Sequence, residues 1–154
     1  MMTESLFTPD EIRARQEAVR FNGYLPAEVE LFFDGLMRSI GPEAEAAALD
    51  LVDHMGDDHL LPMLVQRYVM RGYPAPSAYP DYAETHWPSV LDRLRRTGFK
   101  PFENATGIRV TTPSGQVVDE AWRSERPGSR GPTILAAALK ALARETTRNR
   151  DPMR

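Results

Sequence analysis

The chain has 154 residues, no cysteine and a formal net charge of −3. This length is typical of one domain with a core that needs no covalent staples, and the absence of cysteine excludes disulfides and thiolate metal sites. No basic segment followed by an apolar run opens the sequence, and no apolar run is long enough to span a bilayer, so we expect a cytoplasmic protein without membrane contact. The 17 Arg against 2 Lys favour a bacterial or phage origin.

Charge is distributed unevenly along the chain. Residues 1–92 carry 16 Asp and Glu against 6 Arg, whereas residues 93–154 carry 13 Lys and Arg against 6 Asp and Glu. Such an asymmetry indicates two halves that attract each other, a basic face for an anionic partner, or simply a dipolar surface.

Four helices are predicted in the acidic first part, residues 1–72. The first begins with a capping box formed by Thr8 and Glu11, with Pro9 at its first position, and runs to about Arg20. The second follows Pro26, and its apolar residues recur at helical spacing, which predicts one continuous face at the centre of the core. That face comprises Val29, Phe32, Phe33, Leu36, Met37 and Ile40.

The third and fourth helices are predicted to form a hairpin over residues 43–71. The run "AALDLVDHMGDDHLLPMLVQRY" has an apolar first helix, a "GD" turn and an early proline, Pro62, in the second helix. In these features it resembles one unit of a HEAT repeat, and the resemblance implies a helical surface that binds other proteins. No second copy follows, so a solenoid is not predicted.

Residues 73–87 form a segment rich in proline and aromatic residues, within "GYPAPSAYPDYAETHWP". Disordered linkers are poor in aromatic residues, and prolines restrict the unfolded chain. We therefore predict an ordered, extended strap whose rings partly pack on the second and fourth helices. A strap that only packs, a strap whose exposed rings form a contact surface and a disordered linker are all compatible with the sequence.

The basic part, residues 88–146, is predicted to contain a helix ending at Gly98, a short β-hairpin and a C-terminal helix. Alternating apolar residues on either side of "PSG" predict the hairpin. The final helix is expected from Pro132 to about Glu145, and residues 147–154 are expected to fray. The predicted fold class is α+β, mostly α-helical, with an N-terminal four-helix cluster, and the parts are predicted to assemble into one compact domain.

Candidate catalytic chemistry is sparse. The run "DLVDHMGDDH" places Asp50, His54 and Asp58 four residues apart, a spacing that could present metal ligands on one helical face. Gly56 interrupts that helix, so we predict no bound metal. No serine lies in a nucleophile-elbow context and no glycine-rich phosphate loop occurs, so no catalytic residue and no cofactor is predicted.

These observations favour a non-enzymatic adaptor or regulatory protein that binds another protein, because Tyr, Trp and Arg dominate interface energetics. The expected partner-binding residues are Tyr73, Tyr79, Tyr82, Trp87, Arg93, Arg95 and Arg96. The alternative is a nucleic-acid-binding protein in which the helix at 88–97 and the hairpin act like a winged helix. Its contacts would be Arg93, Arg95, Arg96, Arg109, Arg123, Arg126 and Arg130. An enzyme with a His/Asp site is the third hypothesis.

Overall fold

The computed structural model describes residues 7–55, 60–71, 86–123 and 130–149. The chain forms two compact units, the first from residues 1–55 with 143–154 and the second from residues 56–142. Helices and a three-stranded antiparallel sheet confirm the predicted α+β, mostly helical class. The predicted borders at residues 72 and 88 stay predictions, because residues 72–85 lie outside the described part of the chain.

The first unit contains α1 (Pro9–Phe21), α2 (Pro26–Arg38), α3 (Pro42–Asp53) and the last turns of α6 (Arg130–Asn149). The second contains α4 (Leu60–Leu64), a π-helical turn (Val65–Val69), α5 (Trp87–Arg96), β1 (Lys100–Glu103), β2 (Gly107–Thr111), β3 (Val117–Ala121) and the larger part of α6.

The start of α1 confirms the predicted capping box. The Thr8 hydroxyl accepts a hydrogen bond from the Glu11 amide at 3.2 Å, and the Glu11 carboxylate accepts one from the Thr8 amide at 2.9 Å. These hydrogen bonds hold the pKa of Glu11 below its ordinary value. Local sequence alone fixes this helix end, since both partners lie within one turn.

Helix α2 supplies the core of the first unit, as its spacing predicts. Phe33 and Leu36 are fully buried and Phe32 nearly so, but Ile40 is 48% exposed. The prediction was wrong for Ile40 because the helix ends at Arg38 and Ser39 is extended. Ile40 has therefore left the helical phase that turns its neighbours inward.

Phe7 closes the other side of α2. Its ring stacks on Phe32, with ring centroids 6.2 Å apart, and the Arg15 guanidinium lies 4.5 Å from the Phe7 centroid. A Cβ on Gly35 would collide with the Phe7 ring. Glycine at this position therefore lets an aromatic side chain lie directly against the helix backbone.

Glu45 joins α3 to the end of α6 within the first unit. Its carboxylate accepts hydrogen bonds from Arg144 Nε at 2.7 Å and from Arg148 Nε at 2.6 Å, and the residue is 6% exposed. Desolvation raises the pKa of Glu45, but hydrogen bonds and charge from Arg148 and Arg144 outweigh it, so the pKa lies below its ordinary value. Two cations thus hold a buried carboxylate in its charged form.

The sheet of the second unit has the order β1-β2-β3. Ile108, Val110 and Val118 are buried on one face, whereas Phe102 and Val117 are exposed. The hairpin around "PSG" is confirmed by the pairing of Thr111 with Val117, but sequence analysis missed β1. That strand has only four residues and contains Pro101, which cannot donate to a ladder and is tolerated at an edge.

Helix α6 is longer than predicted. It continues to Asn149, and Thr147 is fully buried with its hydroxyl donating to the Ala143 carbonyl at 2.8 Å. The prediction that residues 147–154 fray was therefore wrong for 147–149, while 150–154 lie outside the described residues. The helix persists because Arg144 and Arg148, four residues apart, both reach Glu45.

The buried face of α2 generates a stability prediction. Phe33→Ala should lower the free energy of unfolding by about 3–5 kcal/mol, because a fully enclosed ring leaves a cavity. Phe21→Ala is the matched control: Phe21 is 89% exposed, and its replacement should change stability by less than about 0.5 kcal/mol. Denaturant unfolding of both variants compares them, and equal midpoints would contradict the placement of Phe33 in the core.

The Glu45 cluster generates a pH prediction. The folded-state pKa of Glu45 is lowered, so its contribution to stability is present above the unfolded-state value of about 4.3 and is lost as the pH falls through the folded-state value. Glu45→Gln should cost roughly 3 kcal/mol at neutral pH, since it leaves two cations facing a neutral group. Towards acid the difference from wild type should shrink.

Glu43→Gln serves as the control for that experiment, because Glu43 is exposed in the first turn of the same helix. Chemical denaturation across the acid range measures all three proteins. A Glu45→Gln protein with the same neutral-pH stability as Glu43→Gln would refute the role assigned to this ion pair.

Candidate functional site

A cleft of about 200 Å³ opens on the second unit. It lies where the π-helical turn, α5 and the start of β1 come together, and α6 contributes one residue. Its lining residues are Tyr68, Val69, Arg71, Arg93, Leu94, Thr97, Phe99 and Leu142. These side chains form a candidate binding site within the described part of the chain.

The π-helical turn shapes one wall of the cleft. The Met70 amide donates to the Val65 carbonyl at 2.9 Å, a bond that spans five residues instead of the four of an α-helix. The wider turn shifts the phase of the side chains that follow it. Such turns are frequent at functional sites because they re-aim side chains without breaking the helix.

Arg93 of α5 fastens the end of this turn. Its Nε donates to the Val69 carbonyl at 3.3 Å, and one terminal nitrogen donates to the Arg71 carbonyl at 3.2 Å. The carbonyls at a helix end lack intrahelical donors, and a guanidinium fork can serve two of them. A positive charge near a helix C-terminus is also favourable to the helix dipole. Arg93 is therefore part of the wall as well as a cation of the site.

The floor of the cleft is apolar. Val69, Leu94 and Phe99 are buried, and the Phe99 amide donates to the Leu94 carbonyl at 2.9 Å, which fixes the chain leaving α5. The Thr97 hydroxyl donates to the Arg93 carbonyl at 3.0 Å. These short-range bonds make the floor a fixed surface and direct the Thr97 hydroxyl to the backbone.

The rim of the cleft is polar and cationic. Arg71 is exposed and Tyr68 is half-buried, with the Arg67 guanidinium 5.6 Å from the Tyr68 ring centroid. None of the eight lining residues is a carboxylate or a histidine. The described lining therefore offers no general acid or base in the usual catalytic range, and it suits binding of an apolar group beside a negative charge.

Four of the seven residues predicted for partner binding lie on α5 in the described part of the chain. Trp87 is the first residue of α5 and is half-buried, and Arg93 lies in the cleft wall. Arg95 is exposed, and Arg96 pairs with Asp92 at 2.8 Å. Tyr73, Tyr79 and Tyr82 lie outside the described residues.

Two of the four additional arginines of the nucleic-acid hypothesis have carboxylate partners nearby. Arg109 on β2 binds Asp119 on β3 with two bonds, at 2.8 and 3.2 Å, which raises the pKa of Arg109 and lowers that of Asp119. Arg130 pairs with Glu103 at 3.2 Å and lies over the Trp122 ring. Arg123 is exposed, and Arg126 lies outside the described residues.

Asp50 and His54, two of the three candidate metal residues, lie in a polar cluster of the first unit. Asp50 accepts a hydrogen bond from Gln16 at 2.8 Å, and His54 Nδ1 donates to the Asp50 carbonyl at 2.9 Å. The His54 ring stacks on Tyr24, with centroids 5.3 Å apart. Asp58 lies outside the described residues, and the described ones contain no group of three carboxylates or imidazoles placed to hold a metal ion.

Most of the residues that line the cleft could not be predicted from the sequence. No pattern in the sequence assigns Leu94, Phe99 or Arg71 to a site. A π-helical turn has no sequence signature, so the wall it forms could not be predicted from spacing. Arg93 is the one residue whose position in the sequence points to the cleft. It falls on the inward side of α5 with Val90 and Leu94, and a cation in such a position needs a local partner.

Comparison with protein-family models, curated proteins and solved structures finds no match to this chain. No helix in the described ranges is long and apolar enough to cross a membrane.

The role of Arg93 in the cleft wall is testable. Arg93→Met keeps the aliphatic stem but removes the donors to two carbonyls, and it should lower the free energy of unfolding by roughly 1–2 kcal/mol. Arg95→Met on the same helix should stay within about 0.5 kcal/mol of wild type, since Arg95 is exposed. Thermal unfolding compares the two variants, and equal losses would contradict the capping role.

Proposed function

We propose that this protein is a non-enzymatic adaptor or regulatory protein that acts by binding another protein, and that the cleft of the second unit receives the partner. The observation that carries the proposal is the composition of that cleft. Its floor is apolar, its rim bears Arg71, and its described lining includes neither a carboxylate nor an imidazole.

The size of the cleft supports a protein partner. Sites for small-molecule ligands commonly measure about 300–1,000 Å³, whereas this cleft has about 200 Å³. That volume suits one anchoring side chain inserted from a partner surface. Interfaces commonly depend on a few such anchors in desolvated pockets, surrounded by contacts that contribute little energy but exclude water.

The pairing of the arginines also favours a protein partner over nucleic acid. Binding to phosphates requires cations that exchange their counterions for the nucleic-acid backbone. Arg96, Arg109 and Arg130 each already have a carboxylate within 3.2 Å. These intramolecular pairs would compete with phosphate, and they lower the positive potential that a winged-helix surface would need.

The test of this function uses one substitution at two positions. Thr97→Trp should fill the cleft, because Thr97 is an exposed lining residue, and the bond from the Phe99 amide to the Leu94 carbonyl does not involve its side chain. Thr111→Trp is the matched control, since Thr111 lies on β2 on the same face as the exposed Lys100 and Val117. Each protein is immobilised and exposed to an extract of the organism that encodes the chain.

We expect wild type and Thr111→Trp to retain the same protein in stoichiometric amount, and Thr97→Trp to lose it. Retention that Thr97→Trp leaves unchanged would remove the cleft from the proposal. A wild-type protein that retains no protein but binds duplex DNA at low ionic strength, with affinity falling steeply as salt is added, would replace the proposal by the nucleic-acid alternative.

A further inference from the structure

We infer that the partner segment entering the cleft carries an apolar side chain next to a carboxylate, so that the protein recognises an acidic, apolar-anchored stretch of another protein. This inference rests on the proposed function and specifies the partner's chemistry.

The apolar floor of the cleft determines which side chain of the partner can bind there. Val69, Leu94 and Phe99 are exposed by 7, 2 and 5% of their surfaces, so each presents a small apolar area to the cleft and none presents a hydrogen-bonding group from its side chain. A polar group inserted here would lose its hydrogen bonds to water without replacement. An aliphatic or aromatic side chain would instead remove apolar surface from water on both partners.

The cations at the rim determine which charge the partner carries beside its apolar side chain. Arg71 forms no ion pair with any described residue, whereas Arg96, Arg109 and Arg130 each face a carboxylate of their own. Arg93 contributes a second positive charge to the lining, although two of its donors serve backbone carbonyls. None of the eight described lining residues is acidic, so the charge that the described lining brings to the rim is positive.

The apolar floor and the cationic rim act together because they are adjacent. A carboxylate bound at the rim lies beside apolar protein, where water screens the attraction less than at an open surface. A guanidinium is the cation best suited to a carboxylate, since its planar fork can donate two parallel hydrogen bonds. A partner segment without charge would contact only the floor, and a segment with a positive charge beside its apolar side chain would be repelled by Arg71 and Arg93.

Three small probes of one shape and different charge isolate this chemistry. Phenylacetate, phenethyl alcohol and phenethylamine share a ring and a short chain, and amide NMR titration of the full chain reports their affinity and location. We expect shifts at Leu94 and Phe99, with phenylacetate binding roughly fivefold more tightly than the alcohol and the amine binding most weakly. Adding salt should reduce the advantage of phenylacetate and leave the alcohol unchanged.

Two variants assign the preference to the rim. Arg71→Gln should reduce the ratio between phenylacetate and alcohol to about one, by loss of a single ion pair. Arg95→Gln, which removes an exposed arginine outside the cleft, should keep the full ratio. Thr97→Trp should abolish binding of all three probes, which links the shifts to the cleft.

The outcomes separate this inference from the proposed function. Equal affinity of the three probes, with shifts at the cleft, would overturn the acidic-partner inference and leave the cleft as a binding site. A phenylacetate preference that persists in Arg71→Gln would overturn the assignment to the rim. No shift at Leu94 or Phe99 with any probe would remove the cleft itself, and the proposed function would fall with it.

Discussion

The buried carboxylate of Glu45 is the constraint on which the first unit depends. Arg144 and Arg148 reach it from 99 and 103 residues away in sequence, so two segments far apart in sequence meet at one charged group. A single buried carboxylate would be too costly to desolvate, but two guanidinium groups supply opposite charge and directed hydrogen bonds. The contribution is therefore strongly asymmetric: loss of Glu45 leaves two cations without a counter-charge, whereas loss of one arginine leaves Glu45 paired with the other.

The contact of Glu45 with Arg144 and Arg148 also joins the two sequence segments of the first unit. Residues 56–142, which form the second unit, lie in sequence between the two segments of the first. Both segments of the first unit must therefore be in place for Glu45 to find its partners, and the loop that they close is long. Because the entropic cost of closing a loop grows only slowly with its length, a few strong contacts are enough to hold the ends together.

The cleft depends on a comparable local constraint in the second unit. A π-helical turn is rare, and the last carbonyls at its end lack intrahelical donors, so neighbouring groups must satisfy them. Arg93 does this by donating to the carbonyls of Val69 and Arg71. The same side chain thus stabilises the wall and brings a positive charge to the site, which links the integrity of the cleft to its electrostatic character.

Sequence reasoning succeeded where the deciding interactions are local or periodic. The capping box of Thr8 and Glu11 spans one turn, and the buried face of α2 repeats with the helical period, so both could be predicted. It failed where a distant partner decides: Ile40 depends on where α2 stops, and the last turn of α6 depends on Glu45. Most of the cleft belongs to this second class, since a π-helical turn and the meeting of α5 with it are tertiary features.

The charge layout shows the same difference between sequence and structure, and it bears directly on function. Thirteen basic residues in the second part of the sequence suggested a basic face, yet folding distributes many of them to nearby acids. Lys140 binds Glu120 at 2.8 Å with both side chains largely buried, Arg109 binds Asp119, and Arg148 binds Glu45. A sum over sequence counts these charges as available, whereas in the fold their fields are cancelled within a few ångströms. For the proposed binding of a partner, the relevant charge is therefore a cation left beside an apolar surface, and Arg71 at the rim of the cleft is such a cation.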